Sequence, residues 1–240
     1  SDTIGCMSPA NVNYIKKNHP EIAHSKIEEN PNSIEPVEIS FNEKQRTMVR
    51  AKYNLPKSKK IFVYGGNLGK PQGLDFLLET INRCKEIDAF FLIVGNGTEF
   101  NKINKWFNER QPNNAKLISS LVKEEYDLLL ASCDVGLIFL NKIFTIPNFP
   151  SRLLSYLEMR MPVISATDIS TDIGHLIEEY DCGKWVLSGD IEKIAKIITT
   201  FTSYDSYDFE KKRNNAYQLL KDKYLVEYSY SLIMNKIKNV

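Results

Sequence analysis

One stretch in the centre of the chain decides the predicted fold, because an apolar run there passes through glycines into a helical pattern. It reads Ile61-Phe62-Val63-Tyr64-Gly65-Gly66-Asn67-Leu68-Gly69-Lys70-Pro71-Gln72-Gly73. A continuous apolar run is typical of a strand that is covered on both faces. After the turn, apolar residues recur at the spacing of one helix face, at Leu74, Leu77, Leu78, Ile81 and Cys84. The stretch therefore predicts a strand, a glycine-rich turn and a helix.

The same alternation of apolar runs and amphipathic segments continues to about residue 201. Further strands are predicted at 90–94, 116–118, 135–140, 162–165 and 185–187, and helices at 98–107, 123–131, 151–159 and 190–201. Thr98 and Asp190 are the predicted caps of two of these helices. Buried strands separated by helices imply an α/β, doubly wound, Rossmann-like parallel sheet. Ligands of such folds bind beyond the carboxyl ends of the strands.

The two flanks of the chain differ from this centre. Residues 3–17 resemble one strand followed by one helix, and the polar stretch at 28–33 has little to bury. The tail from about Phe209 to Val240 is predicted to form two helices. The chain opens at Ser1 without a methionine, so we expect it to be a piece of a longer protein.

Composition argues against several function classes. Lys and Arg number 31 against 30 Asp and Glu, a net charge of +1, so the basic excess of a nucleic-acid-binding protein is missing. No apolar run approaches the roughly 18 residues of a membrane span, and no signal peptide opens the chain. The three histidines lack metal-ligand spacing. The four cysteines form no Cys-x-x-Cys pair, and Cys84 and Cys133 are expected to be buried thiols, which fits a reducing cytosol.

Two segments after predicted strands carry the chemistry of an anion site. Glycines such as Gly65 and Gly66 let backbone amides approach a ligand, and a helix start favours phosphate. The alternative is a ligand-free turn. The turn lacks the Gly-x-Gly-x-x-Gly spacing and the Gly-Lys-Ser/Thr ending, which argues against NAD and against ATP hydrolysis.

The second segment surrounds Ser151, which follows Pro150 and is a good helix N-cap. The amides of Arg152 and Leu153 would face outward there, and the Arg152 side chain could bind a diphosphate. The alternative is that Ser151 only caps the helix while Arg152 pairs with a surface carboxylate. A third glycine segment, at residues 94–97, is predicted to be a tight turn into the next helix, with a ligand contact as the less favoured alternative.

The order and spacing of these segments resemble the C-terminal domain of retaining GT-B glycosyltransferases, of the family 4-like type that makes capsule and lipopolysaccharide sugars. The resemblance covers nearly the whole chain. The matching stretches are Ser8-Pro9, Asn30-Pro31-Asn32-Ser33, Tyr64-Gly65-Gly66-Asn67-Leu68-Gly69 with Gln72-Gly73, Leu92-Ile93-Val94-Gly95-Asn96-Gly97, Ala131-Ser132-Cys133-Asp134-Val135-Gly136-Leu137, Pro150-Ser151-Arg152-Leu153-Leu154-Ser155-Tyr156-Leu157 and Met161-Pro162-Val163-Ile164.

The resemblance implies a domain division and a function. Residues 1–40 would be the end of an N-terminal domain with the interdomain linker, 41–208 the Rossmann-like nucleotide-sugar-binding domain, and 209–240 the helices that cross back. The function would be transfer of a sugar from a nucleoside-diphosphate sugar, guessed to be a UDP-sugar, to an acceptor hydroxyl in surface polysaccharide biosynthesis. The other half would hold the catalytic residues of the acceptor side and a glycan or lipid-linked acceptor. Neither a metal nor a cofactor is expected, and the full-length enzyme would be cytoplasmic, able to associate peripherally with the inner face of the membrane.

The resemblance also implies a donor site. Amides near Gly66 and those of Ser151 and Arg152 would hold the diphosphate, while the loop at Leu121 and Val122 would flank the base. The full set of implied donor-binding residues is Gly65, Gly66, Asn67, Lys70, Gln72, Leu121, Val122, Pro150, Ser151, Arg152 and Ser155.

Three departures from the family pattern bear on activity. Asn67 and Gln72 occupy the positions where many members carry Arg and Lys, which leaves Lys70 or Arg152 to neutralise the diphosphate. A pair of family Glu residues would fall at Pro147 and Ser155, so the ribose contact is in question. The loss at Ser155 supports an alternative, a non-catalytic nucleotide-binding or assembly module. A sugar-nucleotide epimerase is the lower alternative, since it needs acid–base groups that converge on the sugar.

Overall fold

The computed structural model describes residues 2–37 and 41–238 of the chain. In chain order its strands and helices are β1 (Ile4–Cys6), α1 (Pro9–Asn18), β2 (Ile27–Glu29), α2 (Glu43–Lys52), β3 (Lys60–Asn67), α3 (Leu74–Arg83), β4 (Ala89–Asn96), α4 (Phe100–Arg110), β5 (Ala115–Ile118), α5 (Lys123–Ala131), β6 (Val135–Phe139), α6 (Arg152–Glu158), β7 (Val163–Thr167), α7 (Ile173–Glu179), β8 (Gly183–Leu187), α8 (Ile191–Ser203), α9 (Ser206–Lys223) and α10 (Val226–Lys238). Short 3-10 turns cover His24–Lys26 and Lys70–Gln72.

Six parallel strands form the central sheet in the order β5-β4-β3-β6-β7-β8. The chain winds outward from β3 to β5 on one side and from β6 to β8 on the other. The strand order therefore reverses between β3 and β6, and the crevice at their carboxyl ends is the usual ligand position of this fold. The predicted doubly wound α/β sheet is confirmed.

Apolar residues on the two faces of each strand pack against two separate layers of helices. In β3, Phe62 and Tyr64 belong to a core with α3, α4 and α8, whereas Ile61 and Val63 belong to a core with α5, α6, α7 and α9. This is why the strand reads as an uninterrupted apolar run rather than an alternating one.

Two helices have no counterpart in the sequence prediction, α2 and α7. α2 carries few apolar residues, and it is held instead by a capping box between Asn42 and Gln45 and by the buried Arg50. α7 has only seven residues, too short for a visible periodicity, and its Gly174 fits against the Trp185 side chain. Tertiary contacts rather than local pattern place both helices.

The sequence prediction did not include the short strand β2, which begins just before the polar stretch at 28–33. Ile27 is buried, and β2 pairs in parallel with β1 to form a second, two-stranded sheet. Further along, Ile34 bridges Leu225 at the start of the final helix, so both flanks meet. The two predicted tail helices are confirmed as α9 and α10, and residues 239–240 lie outside the described residues.

Of the two predicted helix caps, the one of α8 is confirmed and the one of α4 is wrong. Asp190 caps α8 by accepting from the Lys193 amide, as predicted. Thr98 does not cap α4, because the helix begins at Phe100 and Glu99 occupies the cap position.

All four cysteines are buried free thiols, Cys6, Cys84, Cys133 and Cys182. None of the helices in the described ranges combines the length and apolar character that a bilayer crossing requires.

Candidate functional site

A cleft of about 740 Å³ opens at the carboxyl edge of the sheet, where the strand order reverses. The ends of β3 and β4 form one side, and the loops after β5 and β6 form the other. Nine of the predicted site residues line it: Gly65, Gly66, Asn67, Gln72, Leu121, Pro150, Ser151, Arg152 and Ser155. The fold therefore brings predicted site residues as far apart in sequence as Gly65 and Ser155 to one cavity.

Two predicted site residues lie elsewhere. Val122 is 64% exposed, and Lys70 lines a separate cavity of about 240 Å³ together with Gly73 and Leu74, the start of α3. The reason is that β3 continues through Gly65, Gly66 and Asn67, so the glycines end a strand and do not open the helix. The amides at the start of α3 consequently face the second cavity rather than the cleft.

Glycines make the floor of the cleft from backbone alone. A Cβ on Gly65 would lie 2.0 Å from the Tyr126 hydroxyl oxygen, and one on Gly95 would lie 1.8 Å from the Gly66 carbonyl oxygen. Gly66 itself has a φ of 115°, which favours glycine. The Gly65 amide donates to the Tyr156 hydroxyl at 3.1 Å. The floor is thus closely packed from below and bare on the side of the cleft.

Arg152 is the only charged residue among the described residues that line the cleft. Its guanidinium carbon lies 4.3 Å from the centre of the Tyr64 ring, and its Nη2 donates to Oε1 of Gln72 at 2.5 Å. The predicted alternative, a pair with a surface carboxylate, is wrong: within the described residues Arg152 has no ion-pair partner. Its Nη1 is buried and has no hydrogen-bond partner among those residues. No carboxylate among the described residues therefore offsets the charge of this guanidinium.

The start of α6 differs from the prediction in two details. Ser151 occupies the cap position, but its side chain makes no capping hydrogen bond. The Leu153 amide does not face outward, because it donates to the Pro150 carbonyl at 3.1 Å. Of the four groups expected to bind an anion at this helix start, the amides of Ser151 and Arg152 and the Arg152 side chain remain.

Two tyrosines, Tyr64 and Tyr126, lie next to the cleft residues, and the sequence prediction did not include Tyr126 in the site. Tyr126 on α5 reaches the cleft beside Gly65. Burial raises the pKa of Tyr126 to about 12, so its hydroxyl stays protonated at neutral pH and can donate to a ligand. Burial also raises the pKa of Tyr64, while the Arg152 charge acts in the opposite direction. In the sequence Tyr126 sits within an ordinary amphipathic helix, so only its aromatic size distinguished it.

The third glycine segment also lines the cleft, which favours the alternative of a ligand contact over a turn alone. Gly95 and Asn96 at the end of β4 line it, and Asn148 lines it from the loop before α6. Parallel pairing places Gly66 opposite Gly95, which brings the two strand ends to the same edge. The glycines of this segment are visible in the sequence, but glycines are typical of both tight turns and ligand contacts, so the sequence alone does not distinguish the two.

Comparisons with known proteins are consistent with this geometry. Residues 45–218 match the family described as Glycosyl transferases group 1. The chain is 26% identical over 154 residues to the probable glycosyltransferase WbjE of Pseudomonas aeruginosa, a match that covers 63% of this chain and 38% of WbjE. It is 26% identical over 132 residues to the putative colanic acid biosynthesis glycosyl transferase WcaI of Escherichia coli (strain K12), which covers 55% and 32%. The chain thus spans about a third of the length of either relative.

Solved structures extend the likeness to the whole chain. The crystal structure of Anabaena HepE in complex with UDP and glucose superposes with a TM-score of 0.81 at 15% sequence identity. The superposition covers 100% of this chain and 64% of that one. At this identity the likeness concerns the fold, and it confirms the prediction of one half of a GT-B architecture.

Proposed function

The chain belongs to the glycosyl transferases group 1 family, and we propose that its cleft holds the nucleoside-diphosphate part of a sugar donor. In this proposal the longer protein that contains the chain transfers the sugar to an acceptor hydroxyl. The acceptor and the groups that activate it belong to the part that the chain does not span. The name of WcaI supports an acceptor in surface polysaccharide biosynthesis.

The observation that carries the proposal is the positive charge of Arg152, which no carboxylate offsets, beside the bare backbone of Gly66. When a glycosyl bond to a diphosphate breaks, negative charge builds up on the departing diphosphate. Donors that are already oriented toward that charge stabilise the transition state by several kcal/mol, as roughly 3 kcal/mol for one lost donor illustrates. Arg152 meets this need, since no carboxylate among the described cleft residues competes for its charge. The bare backbone at Gly66 leaves room for the phosphate groups beside it.

A UDP-sugar is the proposed donor. Crystal structures of Anabaena HepE contain UDP and glucose or UDP-glucose, which supports UDP as the nucleotide part of the donor. Leu121 is the predicted neighbour of the base, and its apolar side chain suits the face of a pyrimidine ring. No cofactor besides the donor enters the proposal, and a cytoplasmic location at the inner membrane face is part of it.

A non-catalytic nucleotide-binding module is the second candidate, and one observation favours it. Ser155 lines the cleft where the family pattern has a carboxylate, so the ribose lacks that contact. The epimerase alternative finds less support, because no Asp, Glu or His is present among the described residues that line the cleft.

Thermal shift with nucleoside diphosphates tests donor binding. We expect UDP to raise the Tm of the 240-residue chain, and the increase to grow with concentration as mass action requires. Uridine, which lacks phosphates, should raise it less. The absence of any shift with millimolar UDP, GDP, ADP and TDP would contradict the proposal. Release of UDP from a UDP-sugar by the longer protein then separates an enzyme from a binding module, which would bind the donor and release nothing.

A further inference from the structure

We infer that Gln72 is a positioning residue, whose side-chain oxygen holds the Arg152 guanidinium in the orientation that meets the diphosphate. The inference rests on the proposed function, since it concerns how the same cleft binds its anion. It assigns Gln72 a role exerted through Arg152, in place of the direct contact with the nucleotide that the sequence pattern implied.

The side-chain oxygen of Gln72 contacts Arg152 and is itself held in place by its surroundings. Its Oε1 accepts from Nη2 of Arg152 at 2.5 Å, and it lies 3.1 Å from the Tyr64 hydroxyl, whose single proton can go to it or to the Asn67 carbonyl at the same distance. The residue is only 9% exposed. Its backbone amide donates to the Gly69 carbonyl at 3.0 Å within the 3-10 turn, which further fixes its place. Gln72 thus points its strongest acceptor at the arginine and not at the cavity.

Arg152 depends on this support. It is the first residue of α6, and within the described residues its guanidinium has no carboxylate to orient it. The guanidinium carbon lies 4.3 Å from the centre of the Tyr64 ring, a contact that limits the distance between the two groups but carries no direction of a hydrogen bond. The directional contact is the hydrogen bond from Nη2 to Gln72. Together they hold Nη1, the donor without a partner, in one position.

The neutral charge of Gln72 matters as much as its reach. A carboxylate would hold the guanidinium equally well, but it would also cancel the positive charge that attracts phosphate. An amide oxygen orients Arg152 and leaves that charge for the ligand. The pair therefore combines a fixed geometry with an uncompensated cation, which is the preorganised form of an anion site.

A double-mutant cycle measured with UDP by calorimetry tests the inference. We expect Arg152→Met to weaken UDP binding about 30-fold, as for a lost charge-assisted bond. Gln72→Met should weaken it about 5-fold through lost preorganisation. In the Arg152→Met background, Gln72→Met should cause no further loss. Uridine binding should stay unchanged in all three proteins, and Gln218→Met, at an exposed site, is the matched control.

The outcomes separate the inference from the proposed function. If Gln72→Met weakens UDP binding by the same factor in both backgrounds, Gln72 contacts the ligand itself and the positioning role is overturned, while the donor site stands. If Arg152→Met leaves UDP binding unchanged, the proposed anion site fails and the inference fails with it. Should Gln72→Met lower the Tm so far that the chain unfolds, Gln72→Asn replaces it. The shorter side chain keeps an amide but withdraws its oxygen from Arg152, and the same cycle applies.

Discussion

Two arginines of this chain, one buried and one half-buried, differ in how completely protein groups satisfy their hydrogen-bond donors. Arg50 is 3% exposed, and its Nε donates to the Ser132 carbonyl at 2.9 Å while its Nη2 donates to Oδ2 of Asp134 at 2.7 Å. Its Nη1 lies 3.1–3.3 Å from three carbonyl oxygens, those of Pro56, Lys57 and Lys59. Arg152 has one hydrogen bond to an uncharged amide and a buried Nη1 without a partner in the described residues.

The difference indicates what each arginine does. Asp134 also accepts from the Ile61 amide at 2.7 Å and from Arg46, so the Arg50 cluster joins α2 to the start of β3 and to the segment before β6. It lies at the amino ends of these strands, away from the cleft. A guanidinium whose donors are all used belongs to the fold, whereas one that lines a cavity without a carboxylate to offset its charge is available to a ligand.

The largest expected effect is on folding, at Arg50. Arg50→Met leaves several buried carbonyl oxygens without a donor and weakens the compensation of Asp134, so we expect the free energy of unfolding to fall by about 3 kcal/mol. Denaturant titration measures it, and Lys44→Met, on the exposed face of the same helix, is the matched control. UDP affinity at a temperature where the variant is folded should be unchanged. Equal midpoints for the two variants would show that Arg50 does not carry the fold.

Arg152→Met should give the reverse pattern. It removes the charge at the cleft but breaks only one hydrogen bond to a neutral group, so stability should change by less than about 1 kcal/mol. UDP affinity should fall by about 1.5–3 kcal/mol, and the difference between UDP and uridine should shrink accordingly. A variant that melts several degrees lower while it binds UDP normally would place Arg152 with Arg50, among the structural arginines.

Gln72→Glu should give Arg152 a carboxylate partner, as Arg50 has in Asp134. The carboxylate accepts the same hydrogen bond and pairs with the guanidinium, so we expect an unchanged or higher Tm together with a drop in UDP affinity of about tenfold or more, roughly 1.4 kcal/mol. Because it keeps the size of the side chain, the variant changes charge alone. Calorimetry with UDP that gives wild-type affinity would rule out an uncompensated cation as the basis of binding.

The smallest effect is expected at an exposed arginine. Arg83 forms two hydrogen bonds with Glu192, at 3.0 Å and 2.8 Å, on the surface between α3 and α8. Solvent screens this pair and the side chains lose freedom to form it, so Arg83→Met should leave both the Tm and UDP affinity within measurement error. A clear loss of stability would mean that the number of contacts, rather than burial, separates the arginines of this chain.

The sequence predicted the sheet well because its signal is local. Uninterrupted apolar runs such as those at β3 and β4 report strands buried on both faces, and the helices between them show one apolar face each. The predictions failed where local pattern is weak. α2 is largely polar and depends on Arg50 reaching Asp134, a partner 84 residues away, and no short window contains that contact.

The sequence predicted which edge of the sheet carries the site, but it did not predict the contacts between the site residues. Glycines and Arg152 follow strands of one sheet, so topology alone brings them to one edge. The sequence could not show that Arg152 meets Gln72, that Lys70 turns to another cavity, or that Tyr126 reaches Gly65 from α5. These outcomes depend on where β3 ends and α3 begins, and element boundaries are set by three-dimensional packing.

The central claim, that Arg152 binds the diphosphate of a nucleotide, is tested most directly by a crystal structure of the chain with UDP. The account predicts a phosphate oxygen about 2.7–2.9 Å from a nitrogen of the Arg152 guanidinium, the distance of a charge-assisted hydrogen bond, with the Gln72 contact to Nη2 intact. A nucleotide seated instead in the cavity lined by Lys70 and Lys142, with no contact to the Arg152 guanidinium, would contradict it.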